Sequence, residues 1–297
     1  MYNKKTARFY VCMLLPGFAF LIVFCFVPMG GVVIAFQDFI PALGVLHSDW
    51  AGLGNFIYLF QLPDIWQVLK NTVVISLLKI AAGLIVPIIV ALLLNEVTKS
   101  WFKRTVQTII YLPYFISWVL LAGVLSQILS VDGVVNSLLA SFGLKDPIMF
   151  LGSNTWFRPV LIITNIWKEF GFGTIIYLAA ITNISPSLYE AAAMDGAKRM
   201  QLVRYITIPG ISATIVLLTV LSLQNVLNAG FDQVFNLYNA LVYQTGDIID
   251  TYVYRTAFFD AQFGLATAVG LLKSVVSFFL IVLSYKLAAK FANYRIF

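Results

Sequence analysis

Residues 71–94 read NTVVISLLKIAAGLIVPIIVALLL and indicate the class of fold that this chain adopts. A helix needs roughly 20 mostly apolar residues to cross a bilayer, and Lys79 is the one charged residue in this stretch. Pro87 lies in its interior, where a proline is tolerated if neighbouring helices satisfy the freed backbone groups. The stretch is therefore predicted to be a transmembrane helix.

The composition of the whole chain points the same way. Of its 297 residues, 61% are hydrophobic and 11% are charged, and the mean hydropathy is +0.91. Soluble domains carry roughly 45–50% apolar and about 25% charged residues. We therefore expect an all-α membrane protein. Its six predicted spans are residues 9–36, 67–94, 102–129, 156–182, 211–231 and 261–285.

The basic residues predict how the chain is oriented in the membrane. With the N-terminus in the cytoplasm, twelve lysines and arginines fall inside and four outside. Cytoplasmic loops carry the excess of these residues, so both termini are predicted to be cytoplasmic. Residues 1–8 are then a cytoplasmic segment, and residues 9–297 form a single transmembrane domain. The inner group is Lys4, Lys5, Arg8, Lys99, Lys103, Arg104, Lys198, Arg199, Arg204, Lys286, Lys290 and Arg295, and the outer group is Lys70, Lys145, Arg158 and Arg255.

Several classes of function are excluded by the sequence. The net charge of +6 is spread in short groups beside apolar runs, unlike the clustered patch of a nucleic-acid-binding protein. Cys12 and Cys25 share one apolar run and His47 is the single histidine, so neither a metal site nor a histidine-based triad is expected. The motifs G-x-x-x-x-G-K-[ST], G-x-S-x-G and H-E-x-x-H do not occur. ATP hydrolysis and hydrolase activity on this chain are therefore not expected.

The longest predicted cytoplasmic connection, residues 183–210, carries helix signals. Ser185 before Pro186 matches an N-cap followed by proline in the first helical position. Glu190 is expected in the first turn, where the helix dipole favours a carboxylate. Gly196 permits a sharp turn, and the next short helix should end before Pro209. Two short helices joined at a glycine are therefore predicted to form a rigid knob on the cytoplasmic face.

The same connection resembles a family motif. Residues 190–197 read EAAAMDGA, and residues 206–209 read ITIP. This pattern is similar to the EAA loop of binding-protein-dependent ABC importer permeases, where E-A-A-x-x-x-G is followed by an apolar residue and proline. The resemblance implies a loop that inserts into a cleft of a cytoplasmic ATPase. Its implied coupling residues are Glu190, Ala191, Ala192, Asp195, Gly196 and Pro209.

Other motifs resemble the carbohydrate-uptake, maltose-type branch of these permeases. They are Gly54-Asn55-Phe56, Asn71-Thr72 and Tyr177-Leu178-Ala179-Ala180. Residues 230–239 and 246–255 are similar to an LplB-like subgroup, associated with oligosaccharides from plant and algal polysaccharides, including uronates. The resemblance implies the six-helix fold of type I ABC importer permeases in a bacterial cytoplasmic membrane.

Partners are also implied by this resemblance. A solute-binding protein outside the membrane would deliver an oligosaccharide, and a second, related permease subunit would complete a heteromeric path. Two ATPase subunits would hold ATP and Mg²⁺ and drive alternating access through the EAA loop. This chain would carry no cofactor and would not itself be an enzyme.

Four charged residues lie roughly halfway along their predicted spans, namely Lys79, Lys168, Glu169 and Lys273. A charge at the bilayer centre costs at least about 2.5–3.5 kcal/mol on insertion scales, so such groups usually face a bundle interior or a wet cavity. A shared cavity is predicted, and its positive surplus suits an acidic ligand. The lysines could instead snorkel to an interface or pair with a partner subunit, and the sequence leaves both interpretations open.

The fifth predicted span places Gln224, Asn228 and Asp232 on one helix face, with Asn225 beside them. Amides and carboxylates suit hydroxyl-rich sugars, and Trp167 could stack on a sugar ring. Interhelical hydrogen bonding and packing are the competing interpretations. The alternative function is an ion-coupled secondary transporter, in which the midplane charges bind protons or ions.

The orientation is tested at two loops. We predict that Ser100 is cytoplasmic and Ser153 external, because basic residues concentrate on the cytoplasmic side. Ser100→Cys and Ser153→Cys are made separately in a background without Cys12 and Cys25, and intact cells are treated with an impermeant thiol reagent. Only the cysteine at position 153 should react. Reaction at position 100 but not at 153 would show the opposite orientation.

Overall fold

The computed structural model describes residues 4–144 and 146–291. Residues 1–3 of the predicted N-terminal segment lie outside the described residues, as do Lys145 and Arg295 of the charge count. The chain divides into two compact units. The first is Met1–Ile65 with Tyr252–Ser274, and the second is Trp66–Thr251 with Val275–Phe297.

The first unit begins with a long apolar helix. It consists of α1 (Lys4–Leu21), a π-helical turn (Ile22–Phe26), α2 (Val27–Met29) and a 3₁₀ segment (Gly30–Phe36). After it come β1 (Gln37–Asp38), α3 (Gly44–His47), β2 (Asp49–Trp50) and α4 (Gly54–Gln61). The two short strands pair in antiparallel register, with Gln37 opposite Trp50.

The Gly54-Asn55-Phe56 motif closes this loop. Asn55 Nδ2 donates hydrogen bonds to the carbonyl oxygens of Ala35 and Gln37, each at 3.0 Å. The Phe56 ring packs on Phe36 with the centroids 5.3 Å apart. The motif therefore ties α4 to the end of the first long helix.

The remaining helices follow in chain order, and α5, α16 and α17 contribute residues to both units. They are α5 (Pro63–Glu96), α6 (Ser100–Tyr111), α7 (Trp118–Ile128), α8 (Val134–Ser141), α9 (Phe157–Thr182), α10 (Pro186–Met194), α11 (Arg199–Leu202), α12 (Ile208–Gly210), α13 (Ser212–Ser222), α14 (Phe231–Leu237), α15 (Tyr243–Gly246), α16 (Ile249–Phe258) and α17 (Phe263–Phe291). The buried core of the second unit lies where α14 packs against α7 and α9.

Three helices of the described chain are individually long and apolar enough to cross a membrane: Arg8–Phe36, Pro63–Glu96 and Phe263–Lys290. They confirm the first, second and sixth predicted spans. Three bent helix pairs also qualify, which gives six candidate spans when each pair counts as one. The bends are 103° between Ser100–Phe115 and Trp118–Ile128, 68° between Phe157–Thr182 and Pro186–Met194, and 58° between Arg199–Gly210 and Ser212–Asn225.

The third predicted span, residues 102–129, is a bent pair of helices and not one continuous helix. Pro113, which has no N–H to donate, lies in a 3₁₀ turn (Leu112–Phe115), and Ile116 is extended. Ser117 then starts α7, and its Oγ accepts a hydrogen bond from the Leu120 N–H at 3.4 Å. Hydropathy measures how apolar a segment is and not whether its backbone is helical, so it missed this break.

Asn71 fixes the beginning of α5 to the segment that precedes α16. Its Nδ2 donates to the carbonyl oxygens of Gln244 at 3.2 Å and Asp247 at 3.0 Å. Its Oδ1 accepts from Gln67 Nε2 at 2.9 Å and from Arg158 Nη2 at 2.5 Å. The buried amide of Asn71 therefore joins three parts of the second unit.

We predict that Asn71→Leu lowers the free energy of unfolding by about 2–4 kcal/mol, because buried polar groups that lose their partner cost about 1–3 kcal/mol each. Thermal unfolding of the detergent-purified protein measures the loss. Gln127→Leu is the control, because it removes an exposed amide and should leave the midpoint nearly unchanged. Equal midpoints for the two variants would contradict a stabilising role of Asn71.

Candidate functional site

A polar cavity of about 340 Å³ lies within the second unit, about halfway along α5 and α9. Hydroxyl, amide and charged side chains provide much of its wall. Its lining consists of Ser76, Lys79, Ile80, Gly83, Leu84, Asn165, Glu169, Ser222, Asn225, Asn228, Ala229 and Gly230. Of the four charged residues predicted to share a cavity, Lys79 and Glu169 line this one.

The fifth predicted span, which carries Asn225 and Asn228 of this cavity, is broken. A 3₁₀ turn (Leu223–Asn225) ends it, and α14 starts at Phe231. Gly230 between them has φ +88°, a left-handed conformation that glycine adopts readily. The prediction of a continuous helix over residues 211–231 is therefore wrong.

This break changes which polar residues come together. Asn225 and Asn228, two residues of the predicted substrate path, line the cavity. Gln224 and Asp232 are exposed and lie outside the described lining. The predicted stripe of Gln224, Asn228 and Asp232 on one helix face is wrong, because no helix connects these residues. Asn225 lies at the end of the 3₁₀ turn, and both asparagines reach the cavity from the broken segment.

Lys79 binds the end of this break. Its Nζ donates to the carbonyl oxygen of Ala229 at 2.6 Å and to Gln233 Oε1. The amide of Gln233 in turn donates to the Leu161 carbonyl oxygen and to Thr164 Oγ1, both at 2.8 Å. A chain of hydrogen bonds therefore runs from α5 through α14 to α9.

Lys168 belongs to a different contact. It is buried, and its Nζ donates to the Tyr114 carbonyl oxygen at 2.8 Å. The ammonium also lies 5.3 Å from the Tyr114 ring centroid and 5.6 Å from that of Trp118, within the range of cation–π attraction. Tyr114 belongs to the 3₁₀ turn before the break in the third span. The prediction that Lys168 shares the cavity with Lys79 is wrong, because this backbone carbonyl holds it elsewhere.

The other residues of the predicted substrate path are scattered. Glu169 is exposed toward the polar cavity. Trp167 is 45% exposed and lies outside the described lining. Lys273 belongs to the first unit, on α17. The predicted group of four midplane charges therefore does not form one cluster within the second unit.

Several functional candidates escaped prediction. Ser76, Asn165 and Ser222 line the cavity, and Gln233 is 1% exposed with all its hydrogen bonds inside the protein. Gln233 stands in the 230–239 stretch that resembles the LplB-like subgroup, which was the available signal. In the described residues, no group of three or more His, Cys, Asp and Glu could hold a metal ion.

The predicted knob has the expected first helix and turn. α10 starts at Pro186 with Ser185 as its N-cap residue. At its end, the Gly196 N–H donates to the Ala193 carbonyl oxygen and the Ala197 N–H to that of Ala192, each at 3.0 Å. These two bonds form a Schellman motif, in which glycine takes the left-handed position. Gly196 has φ +78°, so the sharp turn predicted at this glycine is confirmed.

Two details of the knob differ from prediction. Glu190 is the fifth residue of α10, outside the first turn, so the dipole argument for its carboxylate does not apply. Pro209 does not end the second helix, which continues from Arg199 to Gly210. It lies near the start of α12, after a π-helical turn (Val203–Thr207), and a widened turn before it can accommodate a ring without a backbone N–H.

The knob is tied together and presents an uneven surface. Tyr189 Oη and Thr207 Oγ1 are 3.0 Å apart and join its two helices. A cleft of about 250 Å³ lies between these helices, and Asp195, Gly196 and Ala192 line part of it. Glu190, Ala191 and Pro209 are exposed, and Met194 is 89% exposed. Such a surface can be contacted by another protein.

Comparison with known proteins identifies the family. Residues 83–293 match the model of the "Binding-protein-dependent transport system inner membrane component". The chain is 46% identical over 291 residues to the "Polygalacturonan/rhamnogalacturonan transport system permease protein YteP" of Bacillus subtilis, covering 98% of this chain and 90% of YteP. It is 40% identical over 294 residues to "Protein LplB" of the same organism, covering 99% and 92%.

A solved structure agrees with these relatives. It is described as a bacterial ABC transporter involved in the import of the acidic polysaccharide alginate, and it superposes on this chain with a TM-score of 0.88. Sequence identity is 39%, and the match covers 97% of both chains. The predicted helical permease fold is confirmed, and the chain belongs to the family of binding-protein-dependent transport system inner membrane components.

Proposed function

We propose that this chain is one of two related permease subunits of an ABC importer for acidic oligosaccharides derived from polysaccharides. The observation that carries the proposal is the polar cavity halfway along α5 and α9, in a chain 46% identical to a polygalacturonan/rhamnogalacturonan permease. Polar groups at this depth are costly unless they face a cavity or a partner group. A path for a hydroxylated substrate explains why they are present.

The cavity has suitable chemistry for a sugar. Asn165, Asn225 and Asn228 each offer an amide donor and acceptor, and Ser76 and Ser222 offer hydroxyl groups. These groups can exchange hydrogen bonds with sugar hydroxyls as the substrate passes. A transport path needs such bonds to be weak and numerous, because a tightly bound substrate would not leave.

Energy for transport would come from partner subunits. A solute-binding protein delivers the oligosaccharide, and two ATPases with ATP and Mg²⁺ close on the cytoplasmic side. The knob formed by residues 183–210 docks on an ATPase, with Glu190, Ala191, Ala192, Asp195, Gly196 and Pro209 at the contact. This arrangement needs cytoplasmic termini and one membrane domain over residues 9–297. The permease pair would be heteromeric.

No ion-coupled transporter is proposed. That alternative required the midplane lysines to bind or release protons or ions. Lys79 and Lys168 instead donate to the backbone carbonyl oxygens of Ala229 and Tyr114. Both lysines therefore stabilise the backbone of neighbouring segments through these hydrogen bonds.

The substrate class is tested with two trisaccharides. We predict that the reconstituted complex with its binding protein imports trigalacturonide at least about tenfold faster than galactotriose, a preference of about 1.4 kcal/mol. Uptake into proteoliposomes with internal ATP measures this. Proteoliposomes without ATP are the control. Faster import of galactotriose would contradict the acidic substrate class while leaving the ABC permease function intact.

The coupling role is tested at Glu190 and Gly196. We predict that Glu190→Ala and Gly196→Val abolish uptake and substrate-stimulated ATP hydrolysis while the subunit still inserts in the membrane. The exposed carboxylate can form a charge-assisted hydrogen bond with the ATPase. A β-branched residue at φ +78° would distort the turn that shapes the knob.

The matched control is Gly143→Val. Gly143 also has a positive φ, +98°, and open space around it, but it lies outside the knob. The strain of the substitution is therefore similar, and uptake should persist. Wild-type uptake and ATPase stimulation in both knob variants would show that residues 183–210 form an ordinary interfacial segment.

A further inference from the structure

The break between α13 and α14 exposes backbone groups that a continuous helix would satisfy. A helix end leaves carbonyl groups without helical partners, and the bilayer interior supplies no water to replace them. Lys79 Nζ donates to the carbonyl oxygen of Ala229 at 2.6 Å, and also to Gln233 Oε1 on α14. The ammonium therefore binds both sides of Gly230.

Gly230 and Lys79 fit each other closely. Gly230 has φ +88°, and a Cβ added to it would lie 3.1 Å from Lys79 Nζ. A side chain at this position would be strained by the backbone and would also press on the ammonium. The lysine and the left-handed glycine are thus two parts of one local arrangement.

Gln233 anchors this arrangement to the rest of the second unit. Its Nε2 donates to the Leu161 carbonyl oxygen and Thr164 Oγ1 on α9, both at 2.8 Å. Gln233 is 1% exposed. Loss of the hydrogen bonds made by its Oε1 or by its Nε2 would therefore leave a buried polar atom without a partner. Lys79, Gln233 and Thr164 therefore link three helices at the edge of the polar cavity.

We propose that Lys79 is a positioning residue for the substrate path, holding the break at residues 226–230 so that Asn225 and Asn228 face the polar cavity. This inference rests on the proposed function, since it concerns the path that the sugar would take. Lys79 acts on the sugar through these two asparagines. It does not recognise the charge of a uronate.

The surroundings of Lys79 support this assignment over charge recognition. The ammonium already has two oxygen acceptors, and a substrate carboxylate would have to compete with them. Glu169 lines the same cavity and balances the charge of Lys79, so the lining has no positive surplus to attract a carboxylate. Removing Lys79 should therefore impair neutral and acidic sugars to the same extent.

The experiment compares Lys79→Met with Lys79→Arg in the full complex. Methionine keeps most of the length of the side chain without its donors, whereas arginine restores donors to the two acceptors. Lys70→Gln is the matched control, because Lys70 is an exposed lysine of the same helix. Uptake of trigalacturonide and galactotriose is measured for each variant.

A second measurement follows the break without requiring transport. Asn228→Cys and Glu169→Cys are made separately without Cys12 and Cys25, and labelling by a small thiol reagent is timed with and without Lys79→Met. The rate at position 228 should change about tenfold, the size expected when one charge-assisted hydrogen bond is lost. The rate at position 169, which lies on α9, should stay nearly constant.

The outcomes separate the two interpretations. Equal loss for both sugars, restoration by Lys79→Arg, unchanged Lys70→Gln and an altered rate at position 228 alone would support the positioning role. Loss confined to trigalacturonide, or an unchanged rate at position 228, would overturn it. If the wild-type complex imports neither sugar, the proposed function fails, and the labelling rates still decide the role of Lys79.

Discussion

The bilayer interior gives the backbone no water to bind, and the second unit is organised around this constraint. Where a helix stops inside the bilayer, its carbonyl groups need donors from the protein. At the two breaks that hydropathy missed, the donor is a lysine. Lys79 donates to Ala229 beside the break after α13, and Lys168 donates to Tyr114 beside the break before α7. A charge that is expensive in the membrane is thereby used to stabilise an irregular backbone.

The breaks in turn give the chain its polar cavity. A continuous helix would have spread the polar residues of the fifth span along one face, without a concave wall. The 3₁₀ turn and left-handed Gly230 bring Asn225 and Asn228 to the same cavity as Glu169 on α9. On the proposed function, the knob is connected to this cavity by the chain itself, since Arg199–Gly210 leads through one bend into Ser212–Asn225. Movement of the knob would therefore reach the asparagines through few intervening elements.

The parts of the structure that were predictable depend on local chemistry or on composition. Length and apolar content identified the spans because a bilayer selects for both. Length and apolar content did not predict the breaks, because apolar residues flank the breaks in the sequence just as they make up the helices. The positions of the lysines were correctly singled out as unusual, but their partners lie far away in sequence: Lys79 and Ala229 are 150 residues apart. No periodicity within one segment contains that information.

Gly196 and Gly230 show the same limit of prediction from local sequence. Both have a positive φ, at +78° and +88°. Gly196 ends a helix in a turn closed by its own N–H bond to Ala193 and by the Ala197 N–H bond to Ala192, so its conformation could be inferred from the neighbouring sequence. Gly230 takes its conformation beside an ammonium that comes from another helix. A glycine whose conformation depends on a distant side chain has no local signature, and for this reason the turn at Gly196 was predicted and the break at Gly230 was not.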